Sequence, residues 1–180
     1  SFYFAGGGML TGDISSLPAG LTSFYCAGTN TVSGDISKLP AKLTSFNCAG
    51  SNTVNGDISS LTAGLTSFHC LGTNTVSGDI SKLPAGLTSF HCTGFNTISG
   101  DFSKLPQKIT YFYFAGPGAL DKYTAGRKWS PKMNCVHVQP SEGRGINTES
   151  VDALLEDLAQ TTWAGEKKVW LAGNNAPRSS

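Results

Sequence analysis

Charge is what this sequence has least of. Asp, Glu, Lys and Arg together make up 14% of the 180 residues and leave a net charge of +1, so no basic surface stands ready to hold a polyanion, and nucleic acid is not an expected partner. Long apolar runs are missing too: nothing approaches the roughly 20 residues of a membrane-spanning helix, and the opening "SFYFAGGGML" lacks the basic stretch of a secretory leader. Membrane insertion is therefore not expected. The five cysteines are odd in number and never cluster. Four of them, Cys26, Cys48, Cys70 and Cys92, recur at one interval, which describes a packing column rather than a disulfide framework. No carboxylate pair, nucleophile with its base, or phosphate-cradling loop stands at a workable spacing, so neither an enzyme nor a cofactor is expected.

What the sequence does have is a period. Phe2, Phe24, Phe46, Phe68, Phe90 and Phe112 follow one another every 22 residues (24 minus 2, and so on), as do Leu10, Val32, Val54, Val76, Ile98 and Leu120. Ile14, Ile36, Ile58, Ile80 and Phe102 keep the same interval, and so do Leu17, Leu39, Leu61, Leu83 and Leu105. Self-similarity of this kind predicts a solenoid whose coils bury their apolar residues against their neighbours. Within a coil, "LTSFYC" alternates apolar and polar from Leu21 to Cys26, the pattern of a strand with one buried face. The chain then passes Gly28, Asn30 and Gly34 and closes through "LPAG"-type turns. The connecting arc shows no helical periodicity and is expected to be irregular, with room for a short second strand around Val32 to Ile36.

These residues carry a family resemblance. "LTSFYCAGTNTVSGDISKLPAGL" resembles a leucine-rich repeat, L-x-x-L-x-L followed by an asparagine, with Leu21, Phe24 and Cys26 in the apolar strand positions and Asn30 in the asparagine place. The arc is similar to the N-x-L-x-G-x-I-P form of repeat, although Asn30 comes one residue late and Ser37 replaces the proline. The resemblance implies a mainly β (α/β type), right-handed solenoid with a parallel sheet on its concave face and irregular convex arcs. It does not specify a ligand, because this architecture hosts many.

Residues 1–121 are read as regular coils and 122–180 as irregular C-terminal ones. After Leu120 the register fails: Lys122, Thr124 and Arg127 stand where Gly, Ile and Leu are due. "KMNCVHV" restores an alternating strand, read with Met133 and Cys135 inward. Asn147 or Thr148 can cap a helix at about 148–160 carrying Val151, Leu154, Leu155 and Leu158 on one face, with Glu149 in its first turn. A final strand at about 167–172 puts Val169 and Leu171 in the places of Phe24 and Cys26 and ends on a Gly-Asn signature. This tail is similar to the last repeats of bacterial, gut-associated leucine-rich repeat proteins. The chain opens inside a strand and closes after one, so it is expected to be a segment of a longer protein or to meet copies of itself.

Two His-Cys pairs, His69-Cys70 and His91-Cys92, invite a metal or a thiol nucleophile, but successive strand residues point to opposite faces, so neither pair can act as a unit. The cysteines belong to the core, with Phe4 and Phe114 ending their column. Asn30, Asn52, Asn74 and Asn96 are expected to form a ladder bonding backbone groups in the turns. Asp13, Asp35, Asp57, Asp79 and Asp101 form a row of like charges that Lys38, Lys82 and Lys104 can offset and whose side chains can bond turn amides; calcium along it lacks the dense oxygen-ligand loop such an ion wants. The outward strand positions are the candidate partner-binding surface: Tyr3, Tyr25, Asn47, His69, His91 and Tyr113 in one column, flanked by Tyr111 at the end of a serine row. Rings and amides on a rigid sheet suit recognition of a protein or a glycan, and a cross-strand ladder that only stabilises the sheet is the plainer reading. A transition metal on His69 and His91 needs a third ligand. The expectation is a non-enzymatic binding module, extracellular, at a cell surface or on a virion; the alternative is a solenoid that assembles with copies of itself into filaments.

Overall fold

A computed structural model describes residues 1–6, 10–140, 145–163 and 168–171. β1 (Phe2–Gly6) is followed by the short β2 (Thr11–Asp13) and one 3₁₀ turn at Ile14–Ser16. The next coil repeats this as β3 (Ser23–Gly28), β4 (Thr31–Asp35) and a turn at Ile36–Lys38. β5 (Ser45–Gly50) and β6 (Thr53–Asp57), β7 (Ser67–Gly72) and β8 (Thr75–Asp79), and β9 (Ser89–Thr93) and β10 (Thr97–Ser99) do so again. The pattern then gives way to β11 (Tyr111–Gly116), β12 (Cys135–Pro140), α1 (Thr148–Ala159) and β13 (Lys168–Leu171). Among the described residues the thirteen strands form two parallel sheets, and the molecule is a mainly β repeat solenoid with one helix near its C-terminal end. No helix among them is long and apolar enough to cross a membrane.

The larger sheet holds eight strands in the order β1-β3-β5-β7-β9-β11-β12-β13 and pairs equivalent residues of successive coils, Phe24 with Phe46 and Cys48 with Cys70. Its inward side carries a stack of phenylalanines, Phe24, Phe46, Phe68, Phe90 and Phe112, with neighbouring ring centroids 5.5–5.9 Å apart. Each such ring, buried almost completely, contributes about 1.5–3 kcal/mol of transfer free energy.

The arcs are more regular than expected. β2, β4, β6, β8 and β10 make a second parallel sheet, and the strand anticipated around Val32 to Ile36 is β4. Its register is staggered: Ser33 pairs with Thr53 and Asn55 with Thr75, an offset of 20 where the larger sheet keeps 22. Glycine makes the close approach possible. Gly56 has φ +113°, and a Cβ there would lie 2.5 Å from Asp35 Oδ1 of the preceding coil, so no other residue fits without displacing that carboxylate.

The alternation across β12 differs from the expected one. Cys135 pairs with Tyr111 and His137 with Tyr113, which turns Val136 and Val138 inward and leaves Cys135 half-buried on the outer row. Met133 is buried, but as the equivalent of Leu87 and Ile109: its N–H bonds the Ser130 carbonyl as theirs bond Pro84 and Pro106. Three residues, not two, separate that turn position from the first inward strand position, because strand alternation begins only after the bend.

In the irregular coil Tyr123, Arg127 and Trp129 are buried, and Asp157 of α1 ties them together. Its carboxylate accepts from Tyr123 Oη at 2.7 Å and from the N–H groups of Gly126 and Arg127, while Trp129 Nε1 donates to Tyr123 Oη at 3.0 Å. Arg127 lies over the Trp129 ring at 4.5 Å and donates to the carbonyls of Ser103, Leu105 and Pro106. Asn147 caps α1, accepting from Ser150 N at 2.8 Å, and Val151, Leu154 and Leu158 are buried with Leu155 packed beside them. In β13, Val169 and Leu171 pair with Val136 and Val138, in line with the Phe and Cys columns. The Gly-Asn signature after it, and the start of the tail at Glu142 to Arg144, lie outside the described residues.

Candidate functional site

The outward residues of the larger sheet form one continuous column. Register places Tyr3 beside Tyr25, then Asn47, His69, His91 and Tyr113, and continues it through His137 to Trp170. Tyr3 and Tyr25 stack at 4.5 Å, and His69 meets His91 edge-on at 5.7 Å. His91 also touches Tyr113 and Tyr111, at 4.5 and 5.8 Å. Tyr113, His137 and Trp170 stack almost in parallel, with centroid separations of 3.9 and 5.9 Å. All the residues expected on the partner-binding face thus share one surface, with Tyr111 closing the serine row that runs through Ser23, Ser45, Ser67 and Ser89.

The imidazoles of this column all have pKa values lowered from the usual histidine value. Asn47 Nδ2 donates to His69 Nδ1 at 3.3 Å, and His69 Nε2–H then donates to Ser89 Oγ at 2.7 Å, so both ring nitrogens are engaged in one tautomer. Burial lowers the His69 pKa. Burial, followed by the neighbouring His69 and His137, pushes His91 down to about 4. His137 is lowered by burial against the opposing effect of its 3.2 Å contact with Gln139 Oε1. A ring column flanked by small residues presents ring edges and a few fixed donors.

His137 and Trp170 were missed in the sequence for one reason. Both sit in strands outside the 22-residue period, where only the register identifies their equivalents. Beside them the surface dips into an open cleft of about 510 Å³ between Tyr111, Tyr113, Asn134, His137, Lys168 and Trp170. No family model, curated protein or solved structure matches this chain. What its residues can do must come from their own geometry.

That geometry separates the two His-Cys pairs as strand alternation demands: Cys70 and Cys92 are fully buried, whereas His69 and His91 are half-buried on the outer face. Burial raises every thiol in the column, Cys48 to about 12 with Cys26 adding to it, and Cys70 and Cys92 well above the usual range. Phe4 and Phe114 continue the column in register. The asparagines form the ladder expected of them. Asn52 Oδ1 accepts from Val32 N at 2.8 Å while its Nδ2 donates to the Ala49 carbonyl at 3.0 Å, and Asn30, Asn74 and Asn96 repeat both bonds.

The aspartate row bonds turn amides, one of the roles its sequence pattern offers. Asp13, Asp35, Asp57, Asp79 and Asp101 each cap a 3₁₀ turn, accepting from the N–H two residues on at 2.7–2.9 Å. Those amide bonds hold the Asp13 and Asp35 carboxyls below the usual range. Among the described residues no group of three or more His, Cys, Asp or Glu side chains gathers around a possible metal position.

Proposed function

We propose that the chain is a leucine-rich repeat binding module that engages a protein or glycan partner through the outward column of its larger sheet, without catalysing a reaction. The observation that carries this reading is a contrast between the two faces of the same strands. From β3 to β9 the inward positions repeat as Phe and Cys, whereas the outward column over the same strands reads Tyr25, Asn47, His69 and His91, and it goes on through Tyr113, His137 and Trp170. A ladder serving only the sheet gains nothing from such variety, while a recognition surface needs it. The L-x-x-L-x-L spacing and the asparagine ladder support membership of that repeat family, and the tail's likeness to bacterial repeats supports a surface, secreted or phage-borne setting.

Probing the immobilised chain with printed glycan and peptide arrays tests the proposal. Binding at micromolar concentration is expected, and the combined Tyr25→Ala, His69→Ala, His91→Ala and Tyr113→Ala variant should lose it while keeping its circular dichroism. Full binding by that variant sinks the reading.

A second reading, self-assembly into filaments, draws on the two edges of the larger sheet. β1 and β13 each have one neighbour among the described residues, and they expose Phe2, Tyr3, Val169 and Trp170. Sedimentation velocity separates the two, since concentration-dependent growth belongs to the filament and a constant monomer to the binding module.

A further inference from the structure

The departures from the repeat are concentrated at one place. Up to β9 the row beside the ring column is serine, Ser23, Ser45, Ser67 and Ser89; across the next three strands it becomes Tyr111, Cys135 and Lys168, in register. Over the same strands the ring column becomes Tyr113, His137 and Trp170. Between the two rows lies the cleft of about 510 Å³, within the roughly 300–1,000 Å³ usual for small-ligand sites.

The chemistry of its walls is one-sided. Stacking at interplanar angles of 11° and 14° turns the faces of Tyr113, His137 and Trp170 toward each other, leaving ring edges, which carry the positive part of the quadrupole, for a ligand to meet. Trp170 is 62% exposed and adds apolar area at the rim. The Lys168 ammonium, the hydroxyls of Tyr111 and Tyr113 and the Asn134 amide supply donors, and no lining residue is acidic. Burial pushes the Cys135 thiol up, and the Lys168 ammonium acts on it in the opposite direction. His137 Nε2 faces Gln139 Oε1, which leaves Nδ1 as the acceptor of the neutral ring.

Resting on the partner-binding reading above, we propose that this cleft binds an acidic sugar, with the sugar carboxylate paired to Lys168, its hydroxyls on Tyr111, Asn134 and His137, and its apolar ring face against Trp170. A peptide is the poorer fit. The cleft opens on the face of the sheet, where the backbone groups of β11 and β12 are already bonded to strands on both sides, so a chain can add as a further strand only along the outer edge of β13, in the plane of the sheet and outside the cleft. Recognition falls to side chains alone, and those present are donors and rings, matched by a ligand rich in acceptors with an apolar face.

Titrating the full chain with D-glucuronate, N-acetylneuraminate and trigalacturonate, followed by saturation-transfer NMR on the ligand and by tryptophan emission, tests this. D-glucose and a hexaglutamate peptide serve as comparisons. At least one acidic sugar should bind at low ionic strength, and Lys168→Ala should weaken it by about tenfold or more, the scale of one charge-assisted hydrogen bond. Lys168→Arg should retain it, Trp170→Ala should weaken it, and Lys38→Ala, on a distant 3₁₀ turn, should leave it unchanged. The proposal is overturned if D-glucose binds as well as its acid, if Lys168→Ala has no effect, or if no acidic sugar binds. Binding of hexaglutamate alone, or a positive array with every sugar acid silent, overturns the sugar assignment while leaving the partner-binding surface standing. Silence from the arrays and the sugars together removes both.

Discussion

A thiol packed among phenylalanines is a poor nucleophile, because its anion has nothing to solvate it. Cys26, Cys48, Cys70 and Cys92 are fully buried and free, whereas Cys135 is half-buried at the edge of an open cleft. Native protein treated with a chromogenic disulfide reagent should therefore release colour from one thiol quickly and from the other four only on unfolding; fast reaction of two or more would contradict the burial. At this scale much was legible in advance. Strict alternation by itself places His69 and His91 on one face and Cys70 and Cys92 on the other. Cys135 was misassigned because an apolar residue two places earlier imitates alternation, when Met133 in fact fills the turn position that Leu87 and Ile109 occupy.

Single strands explain the repeat's internal order. Each arc is held by one asparagine that satisfies an amide of the preceding coil and a carbonyl of its own turn, and by one aspartate that caps the turn following its strand. The period announced the ladder, since a buried amide repeated at fixed spacing must bond something. It also offers turn amides as partners for the aspartates, but not which turns they cap, because that depends on the extended backbone at each aspartate, φ near −90° with ψ from 111° to 133°. The outer column makes a prediction of its own. A histidine depressed to about 4 takes up fewer protons folded than unfolded. Stability from keeping His91 neutral is therefore complete above its unfolded pKa, near 6.5, and is lost as pH falls toward 4. The melting temperature should fall across that window, His91→Gln should flatten the fall, and the His91 ring protons should titrate by NMR below pH 5. A midpoint near 6.5 refutes the buried, crowded environment. The carboxyls of Asp13 and Asp35 also lie below their usual values, and their contribution is lost only at lower pH.

Across the whole molecule, the regular coils touch mainly their neighbours, while the C-terminal part is fastened by contacts that no period encodes. Asp157 bonds residues about thirty positions away, Tyr123, Gly126 and Arg127, and nothing in the sequence marks one aspartate on a helix as their common acceptor. Asp157→Ala leaves those donors without it, at about 1–3 kcal/mol for each that stays buried. Urea unfolding should shift to lower midpoint, with α1 losing hydrogen-exchange protection before the β3–β9 strands do. Uniform protection and an unchanged midpoint would show that the helix is held by its apolar face alone. The stagger of the second sheet governs what the stack can tolerate. Successive arcs slide by two residues, roughly 6.6 Å at the 3.3 Å rise of a parallel strand, and two is the smallest slip that keeps Val32, Val54, Val76 and Ile98 pointing inward. The coils therefore lie on one another like a sheared deck of cards, aligned along one edge and stepped along the other. Such a deck can absorb length changes in its arc strands only in even steps, because a single inserted residue turns that rung of the core outward.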